Sequence, residues 1–373
     1  MSAQLRCGAG WNRTFSRIAT HRLAFSPTAA KRGLKKMKAV AGDGDFTSVG
    51  VSCSEEGKLL AIKKQLEKDT TISNVRFDFS NSVFPAGTAG QSKFDIKRYH
   101  EQLSTSILGT TLLTAAEIPS TQDFLRNSIS TWPDGTAIVA DSQTAGKGRR
   151  ENQWSSPAGC LMFSFVKSLR ISGGLAPFLN YVVCLAIVEA LQEISLNTFS
   201  DSSVKFRIKW PNDIYYDGLK IGGVLLHASW KSSGLVMHIG VGLNVFNRQP
   251  TICLHDIFSK SSRKEKSEGG LFSEEILARV FNHMESLFEI MEREGFGPME
   301  ERYLKYWLHS DQSVQVKSSE EEKGSDTGPM SVTIKGISPQ GFLLAVSDAG
   351  EMLELQPDGN SLDMMHGLIH RRL

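Results

Sequence analysis

Lys209-Trp210-Pro211-Asn212-Asp213-Ile214-Tyr215-Tyr216-Asp217-Gly218-Leu219-Lys220-Ile221-Gly222-Gly223-Val224-Leu225-Leu226 holds a strand end, a turn and a second strand in one continuous run. Immediately upstream, Val204-Lys205-Phe206-Arg207-Ile208 alternates apolar and basic residues, so residues 204–210 predict a strand that delivers Pro211, Asn212 and Asp213 at its end. Residues 214–216, an Asp-Gly turn and residues 220–228 then predict a hairpin. Lys220 is followed by Ile221 and two glycines, which let a strand backbone lie close to a ligand. Taken alone, Lys220 also suits an exposed hairpin lysine.

A second stretch points to anion chemistry. Thr136-Ala137-Ile138-Val139-Ala140 predicts a short strand, and Asp141-Ser142-Gln143-Thr144-Ala145-Gly146-Lys147-Gly148-Arg149-Arg150-Glu151-Asn152-Gln153-Trp154 follows it. Gly146 and Gly148 permit tight turning, and Lys147, Arg149 and Arg150 bring cations to the same few residues. A solvated basic loop is the alternative reading of this segment. A third run, His238-Ile239-Gly240-Val241-Gly242-Leu243-Asn244-Val245, completes the set.

In their order these segments resemble the biotin–protein ligases (holocarboxylase synthetases), whose motifs are a GRGR-type loop, KWPND, K-x-GG and G-x-G-x-N. The resemblance spans roughly residues 110–250 and runs more loosely to the C-terminus. It implies an α+β chain: a class II aminoacyl-tRNA-synthetase-like catalytic domain, largely antiparallel with packed helices, followed by a small SH3-like β-barrel.

Composition sets the outer limits. The chain has 373 residues, 22% charged and 40% hydrophobic, as in ordinary globular proteins, and its formal net charge of +2 gives no global signal for nucleic acid. Cys7, Cys53, Cys160, Cys184 and Cys253 lie far apart with no C-x-x-C, which argues against a disulfide framework or a cysteine zinc site. No apolar run is expected to reach the length of a membrane span. Residues 1–42 contain no Asp or Glu but carry Arg6, Arg13, Arg17, Arg22, Lys31, Arg32, Lys35, Lys36 and Lys38. This reads as a mitochondrial or chloroplast transit peptide, with a disordered basic tail as the alternative. Initiation at Met37 would give a cytosolic form.

Residues 43–93 form an extension of unknown structure, in which residues 74–79 alternate like a strand and residues 57–66 suit a strand or short helix. Residues 85–90 read as loop. No helix-turn-helix with clustered basic residues is legible there, so no sequence-specific DNA binding is expected. The catalytic domain is assigned to residues 94–310, opening with a strand and turn over residues 106–117. Ser120-Thr121-Gln122-Asp123 then caps a short helix reaching about Ile129. Residues 159–166 predict a buried strand, and Leu179, Val182, Val183, Ala186, Ile187, Ala190, Leu191 and Ile194 a packed helix. Residues 235–241 predict another strand, and residues 261–270 a polar loop. Ser273 is expected to cap a helix whose stripe runs from Ile276 to Met291, followed by a shorter helix over 298–308. Residues 311–373 are assigned to the barrel, with strands at 313–317, 331–335, 342–346 and 351–355 and an acidic loop at 318–329.

The resemblance also implies the chemistry. Biotin is activated with ATP as biotinyl-5′-AMP, pyrophosphate is released, and biotin passes to a lysine on the biotin-carrier domain of an apo-carboxylase. Ser120, Thr121 and Gln122 would read the ureido end of biotin; Gln143, Gly146, Lys147, Gly148, Arg149, Lys220, Gly222 and Gly223 would line its pocket. Arg149, Arg150, Trp154, Asn212 and Asn244 would hold the ATP or adenylate, Asn244 at the adenine and Trp154 as a cover. Lys220, Arg149 and Asp213 are the expected catalytic residues. Asp213 would orient or deprotonate the acceptor amine, or alternatively hold Lys220 or a metal. Lys147 stands where the family usually has Arg, which keeps the charge but loses the bidentate fork. Magnesium is implied by ATP, yet no carboxylate cluster identifies its ligands. Three rivals share parts of this pattern: a lipoate or octanoate ligase, a non-catalytic biotin-binding regulator, and a tRNA-synthetase fragment. The glycine spacing of the loop and of Lys220-Ile221-Gly222-Gly223 favours biotin over lipoate, and the cations retained at Arg149 and Lys220 favour an enzyme over a sensor.

Overall fold

Alternating side chains along the predicted strands give a sheet with two different faces, and the structure, a computed structural model, builds a layer on each. It describes residues 47–53, 62–64, 75–78, 93–127, 132–232, 234–261, 270–317, 330–356, 360–363 and 368–371. The expected transit peptide, the loops at 85–90 and 318–329 and nearly all of the polar loop at 261–270 lie outside these residues, as does most of 57–66.

The strands β1 (Thr47–Cys53), β2 (Val75–Asp78), β3 (Thr111–Ile118), β4 (Ala137–Gln143), β5 (Cys160–Leu169), β6 (Phe206–Lys209), β7 (Asp213–Tyr216), β8 (Leu219–Lys231) and β9 (Gly234–Asn244) form one sheet in the order β2-β1-β3-β4-β5-β9-β8-β7-β6. Pairing is antiparallel except for β1 with β2 and β3 with β4. The β7–β8 hairpin turns at Asp217 and Gly218, both at positive φ (47° and 75°), as an Asp-Gly two-residue turn requires. The stretch before residue 94 contributes more than the one strand read from its alternation. β1, not anticipated, lies antiparallel on β3 with Cys53 opposite Thr111 and Val49 opposite Ala115.

One face carries the long helices α3 (Leu179–Asn197) and α5 (Ser273–Glu294), whose side chains pack with Phe163, Phe165 and Ile239. Phe281 stands edge-on to Phe163 and Phe165 at 5.5 and 5.4 Å. The stripe from Ile276 to Met291 is buried as expected. Residues Gly173–Asn197 are long and apolar enough to cross a membrane, a correction to the sequence reading; 67% of that apolar window is buried in the fold, which makes it a core helix. Two helix ends also differ. Phe272, not Ser273, is the N-cap of α5 and makes no side-chain cap bond. α6 (Gly297–Tyr306) stops before residue 308, where Leu308 N–H donates to Ile208 O at 3.0 Å and so joins the sheet. The helices α1 (Ile96–Gln102) and α4 (Leu254–Ser261) complete the frame.

On the opposite face, α2 (Thr121–Asn127) packs Phe124 and Leu125 against Ile138, Val166 and Val236. It begins as the sequence predicts, with Ser120 Oγ accepting from Asp123 N–H at 3.3 Å. The C-terminal strands β10 (Ser313–Lys317), β11 (Met330–Ile337), β12 (Leu343–Ser347), β13 (Met352–Leu355), β14 (Asn360–Asp363) and β15 (Leu368–Arg371) form a separate six-stranded sheet in the order β13-β12-β11-β10-β15-β14. The last two were not read from the sequence.

Candidate active site

The cavity lies on the α2 face, where the chain removes side chains from the sheet. Gly223, Gly240 and Gly242 line it together with Ser164 and Leu225, leaving a space of about 350 Å³. Gly242 is needed for close approach, because a Cβ there would collide with the indole of Trp154. The loop after β4 crosses the opening and supplies Lys147, Gly148, Arg149, Arg150 and Trp154; Asn212, Asp213 and Lys220 arrive from the strand end and hairpin. Segments more than 100 residues apart in the chain, from Ser120 to Gly242, thus meet around one space.

One end is neutral and already knitted together. Thr121 donates from its backbone N–H and its hydroxyl to Gln143 Oε1 at 2.8 and 3.0 Å, and its Oγ1 lies 2.8 Å from Ser164 Oγ. Gln143 Nε2 donates to Ser156 Oγ at 2.9 Å. Gln122 Nε2 donates to the carbonyls of Leu225 (2.6 Å) and His238 (3.0 Å), fixing α2 to β8 and β9. Ser120, Thr121 and Gln122 are all buried. Beside them His227 and His238 face each other across the strands. Burial lowers both imidazoles, that of His238 to about 4 with Arg126 adding to the effect, so neither brings charge near neutral pH.

The other end is cationic. Arg149 Nη1 donates to Asn212 Oδ1 at 3.1 Å, while Asn212 Nδ2 donates to Val224 O at 2.7 Å. Lys220 Nζ sits 2.8 Å from Asp213 Oδ1 and 5.4 Å from the centre of the Trp154 ring. Lys147 Nζ lies 2.5 Å from Asp123 Oδ2, so this lysine ties the glycine loop to the first turn of α2. Arg150 lines the cavity from a left-handed backbone, φ 54°. Arg149, Lys220, Lys209 and Arg150 therefore ring one end of a space whose far wall is made of amides and hydroxyls.

Three expected site residues are placed elsewhere. Asn244 does not line the cavity: its amide donates to Thr251 Oγ1 (3.0 Å) and Ile252 O (3.3 Å), and its carbonyl oxygen accepts from Asn247 (2.9 Å), so it holds the loop after β9. Gly222 points its missing side chain at Leu243, and Gly146 at Ser156 and Trp154; both allow packing beneath the cavity rather than lining it. Ser164, Ser156, Lys209 and Asp123 were missed. Ser164 had a signal, being the one hydroxyl between Phe163 and Phe165 on a strand otherwise apolar around it.

Among the described residues, no group of three His, Cys, Asp or Glu side chains is arranged to hold a metal ion. The cavity offers Asp213 as a single carboxylate. That fits magnesium arriving with a nucleotide, since Mg²⁺ keeps waters and takes phosphate oxygens beside one or two protein carboxylates.

The chain is similar to known proteins over most of its length. The Biotin/lipoate A/B protein ligase family model matches residues 114–245. "Biotin--protein ligase 2" of Arabidopsis thaliana is 39% identical over 76% of this chain and 83% of its own length. "Biotin--protein ligase 1, chloroplastic" of the same plant is 37% identical over 95% of this chain and 93% of its own. The solved biotin protein ligase of Aquifex aeolicus, in complex with biotin and ATP, is 25% identical with a TM-score of 0.52, covering 65% of this chain and 94% of that one. With relatives this similar along most of their length, the chain belongs to the biotin–protein ligases of the Biotin/lipoate A/B protein ligase family.

Proposed function

We propose that this protein is an ATP-dependent biotin–protein ligase that makes biotinyl-5′-AMP and passes biotin to a lysine on the biotin-carrier domain of an apo-carboxylase. The observation that carries the reading is a single cavity with a neutral amide-and-hydroxyl end at Thr121, Gln122, Gln143 and Ser164 and a cationic end at Arg149 and Lys220. A ureido ring suits the first end, and the meeting of a carboxylate with a polyphosphate suits the second.

In the first step a biotin carboxylate oxygen bonds to the α-phosphorus of ATP, the bond from that phosphorus to the bridging oxygen breaks, and pyrophosphate leaves with the electron pair. Two anions must approach, and charge builds on the equatorial oxygens. Arg149 and Lys220 are assigned to that charge, because fixed cations in a partly enclosed site stabilise it without reorganising. Arg150, Trp154 and Asn212 are assigned to the adenylate. In the second step the acceptor amine attacks the anhydride carbonyl, AMP leaves, and the amine loses a proton. Asp213 is assigned to orient that amine or take its proton, a reading supported by its ion pair with Lys220, which compensates the charge it carries. Magnesium would supply charge neutralisation to the ATP phosphates, with Asp213 the candidate protein ligand. Residues 94–310 are assigned to catalysis and 311–373 to the smaller β domain. A chloroplast location is supported by the plant relative named as chloroplastic, which aligns with 95% of this chain.

Biotin-dependent exchange of labelled pyrophosphate into ATP tests the activity, with lipoate, octanoate and amino acids as controls. Exchange with biotin alone is expected. Exchange supported by lipoate but not biotin would overturn the substrate, and binding of biotin without any exchange would leave a sensor.

A further inference from the structure

Trp210 lies between the cavity and the smaller β domain, and both of its N–H groups are taken up by that side of the molecule. Its backbone N–H donates to His309 Nε2 at 3.0 Å, and its indole N–H donates to Tyr181 Oη at 2.7 Å. His309 is fully buried. Because its Nε2 accepts, its Nδ1 carries the proton and donates to Gln312 Oε1, 2.9 Å away. Burial holds this imidazole down to about 4, so it stays a neutral acceptor throughout the physiological range.

The segment that carries His309 belongs to both sheets at once. Leu308 N–H donates to Ile208 O in β6 at 3.0 Å, while Gln312 O accepts from Ile334 N–H of β11 at 2.9 Å. Tyr181 makes a parallel connection. From α3 its hydroxyl accepts from Trp210 and donates to Gly341 O, 2.5 Å away in the turn between β11 and β12. Gly341 has φ +79°, and a Cβ there would sit 2.7 Å from Pro177 Cβ, so that turn is seated directly on the entry to α3. The residues after Trp210 lead straight into the cationic end. Asn212 exchanges hydrogen bonds with Val224 and accepts from Arg149, and Asp213 pairs with Lys220.

Resting on the ligase reading above, we propose that His309 and Tyr181 are positioning residues through which the smaller β domain holds Trp210, and with it Asn212 and Asp213, in register with Arg149 and Lys220. The bonds that fix the neutral end run among α2, β4, β5, β8 and β9, so the effect should fall on ATP and not on biotin. Loss of one buried hydrogen bond to Trp210 should weaken ATP-dependent activation about tenfold.

The test uses the full chain and measures biotin-dependent pyrophosphate exchange with ATP and biotin varied separately, together with calorimetric biotin binding in the absence of ATP. His309→Leu and Tyr181→Phe should each raise the KM for ATP or lower kcat about tenfold, with the biotin Kd within about twofold of wild type. His309→Gln, which can again present an acceptor to the Trp210 N–H, should recover most of the loss. Wild-type ATP kinetics in both His309→Leu and Tyr181→Phe would overturn the proposal, even if both melt earlier, because only a packing role would then remain. Should His309→Leu fail to fold, Tyr181→Phe, which removes a single oxygen, decides alone. If the wild-type chain supports no exchange with biotin, the ligase reading fails first and this inference falls with it.

Discussion

The two ends of the cavity are built on opposite plans. At the Thr121 end, Thr121, Gln122 and Ser164 are buried and Gln143 half-buried, each already bonded to another part of the protein, and the nearby histidines are neutral. At the Lys220 end, the cations are partly exposed, with polar acceptors such as Asp213 for Lys220 and Asn212 for Arg149. A neutral ring gains from donors and acceptors fixed in advance, since rigid hydrogen bonds cost little ordering on binding. An incoming polyanion gains more from cations whose present partners can be exchanged for phosphate. The difference teaches that binding and activation are separable by mutation, which the following experiments can break or sharpen.

Lys220→Met should have the largest effect. It keeps the side-chain stem and removes the charge, and a charge-assisted hydrogen bond is worth roughly 1.5–3 kcal/mol, so pyrophosphate exchange should fall by about one to two orders of magnitude. Chemically prepared biotinyl-5′-AMP should restore part of the transfer to an acceptor domain. A wild-type exchange rate in this variant would reduce Lys220 to a partner of Asp213 and shift the chemistry to Arg149.

Thr121→Val should act at the opposite end and more weakly. Removing Oγ1 leaves Gln143 Oε1 and Ser164 Oγ each short of one contact. About 1.4 kcal/mol lost here would raise the KM for biotin about tenfold and leave that for ATP unchanged. Equal changes in both constants would show that the two ends are mechanically one.

The smallest effect concerns neither end and serves as a control. His283 on α5 bridges Glu193 (2.7 Å) and Glu189 (3.7 Å) on α3, and its pKa is raised by the bond to Glu189, against desolvation, with Glu193 adding to the rise. A folded-state pKa above the unfolded value of 6.5 gives stability that is fully present below pH 6.5 and is lost as pH rises through the raised value. His283→Leu should therefore lower Tm at pH 6 by about 2–4 °C more than it does well above that range, with exchange kinetics unaffected. A Tm difference constant with pH would mean that His283 contributes packing alone.

Much of this architecture was legible because local rules and tertiary demands agree. The Asp217-Gly218 turn, the stripe on α5 and the Ser120 cap each follow from chemistry within a few residues. The cations of the glycine loop and Lys220 were legible as a set because their motifs fall in order. What was missed depends on partners distant in sequence. Nothing near Lys147 announces Asp123, and nothing near Trp210 announces His309, 99 residues away. Asn244 is a motif residue expected at the adenine whose amide is bonded to a neighbouring loop. β1 carries an ordinary strand pattern, and only its register on β3 reveals that it belongs to the large sheet.

That placement of β1 also bears on how the protein behaves at high concentration. Without it, the eight residues of β3 would form a rim of unpaired N–H and C=O groups, long enough to template another chain. With β1 laid on β3 and β2 on β1, the sheet ends in a four-residue strand on that side and in the four-residue β6 on the other. Ile208 of that second rim is further occupied by Trp307. Shortening the chain to begin at residue 94 would thus first cost colloidal stability, seen as self-association in light scattering, while the cavity and its cations stayed in place.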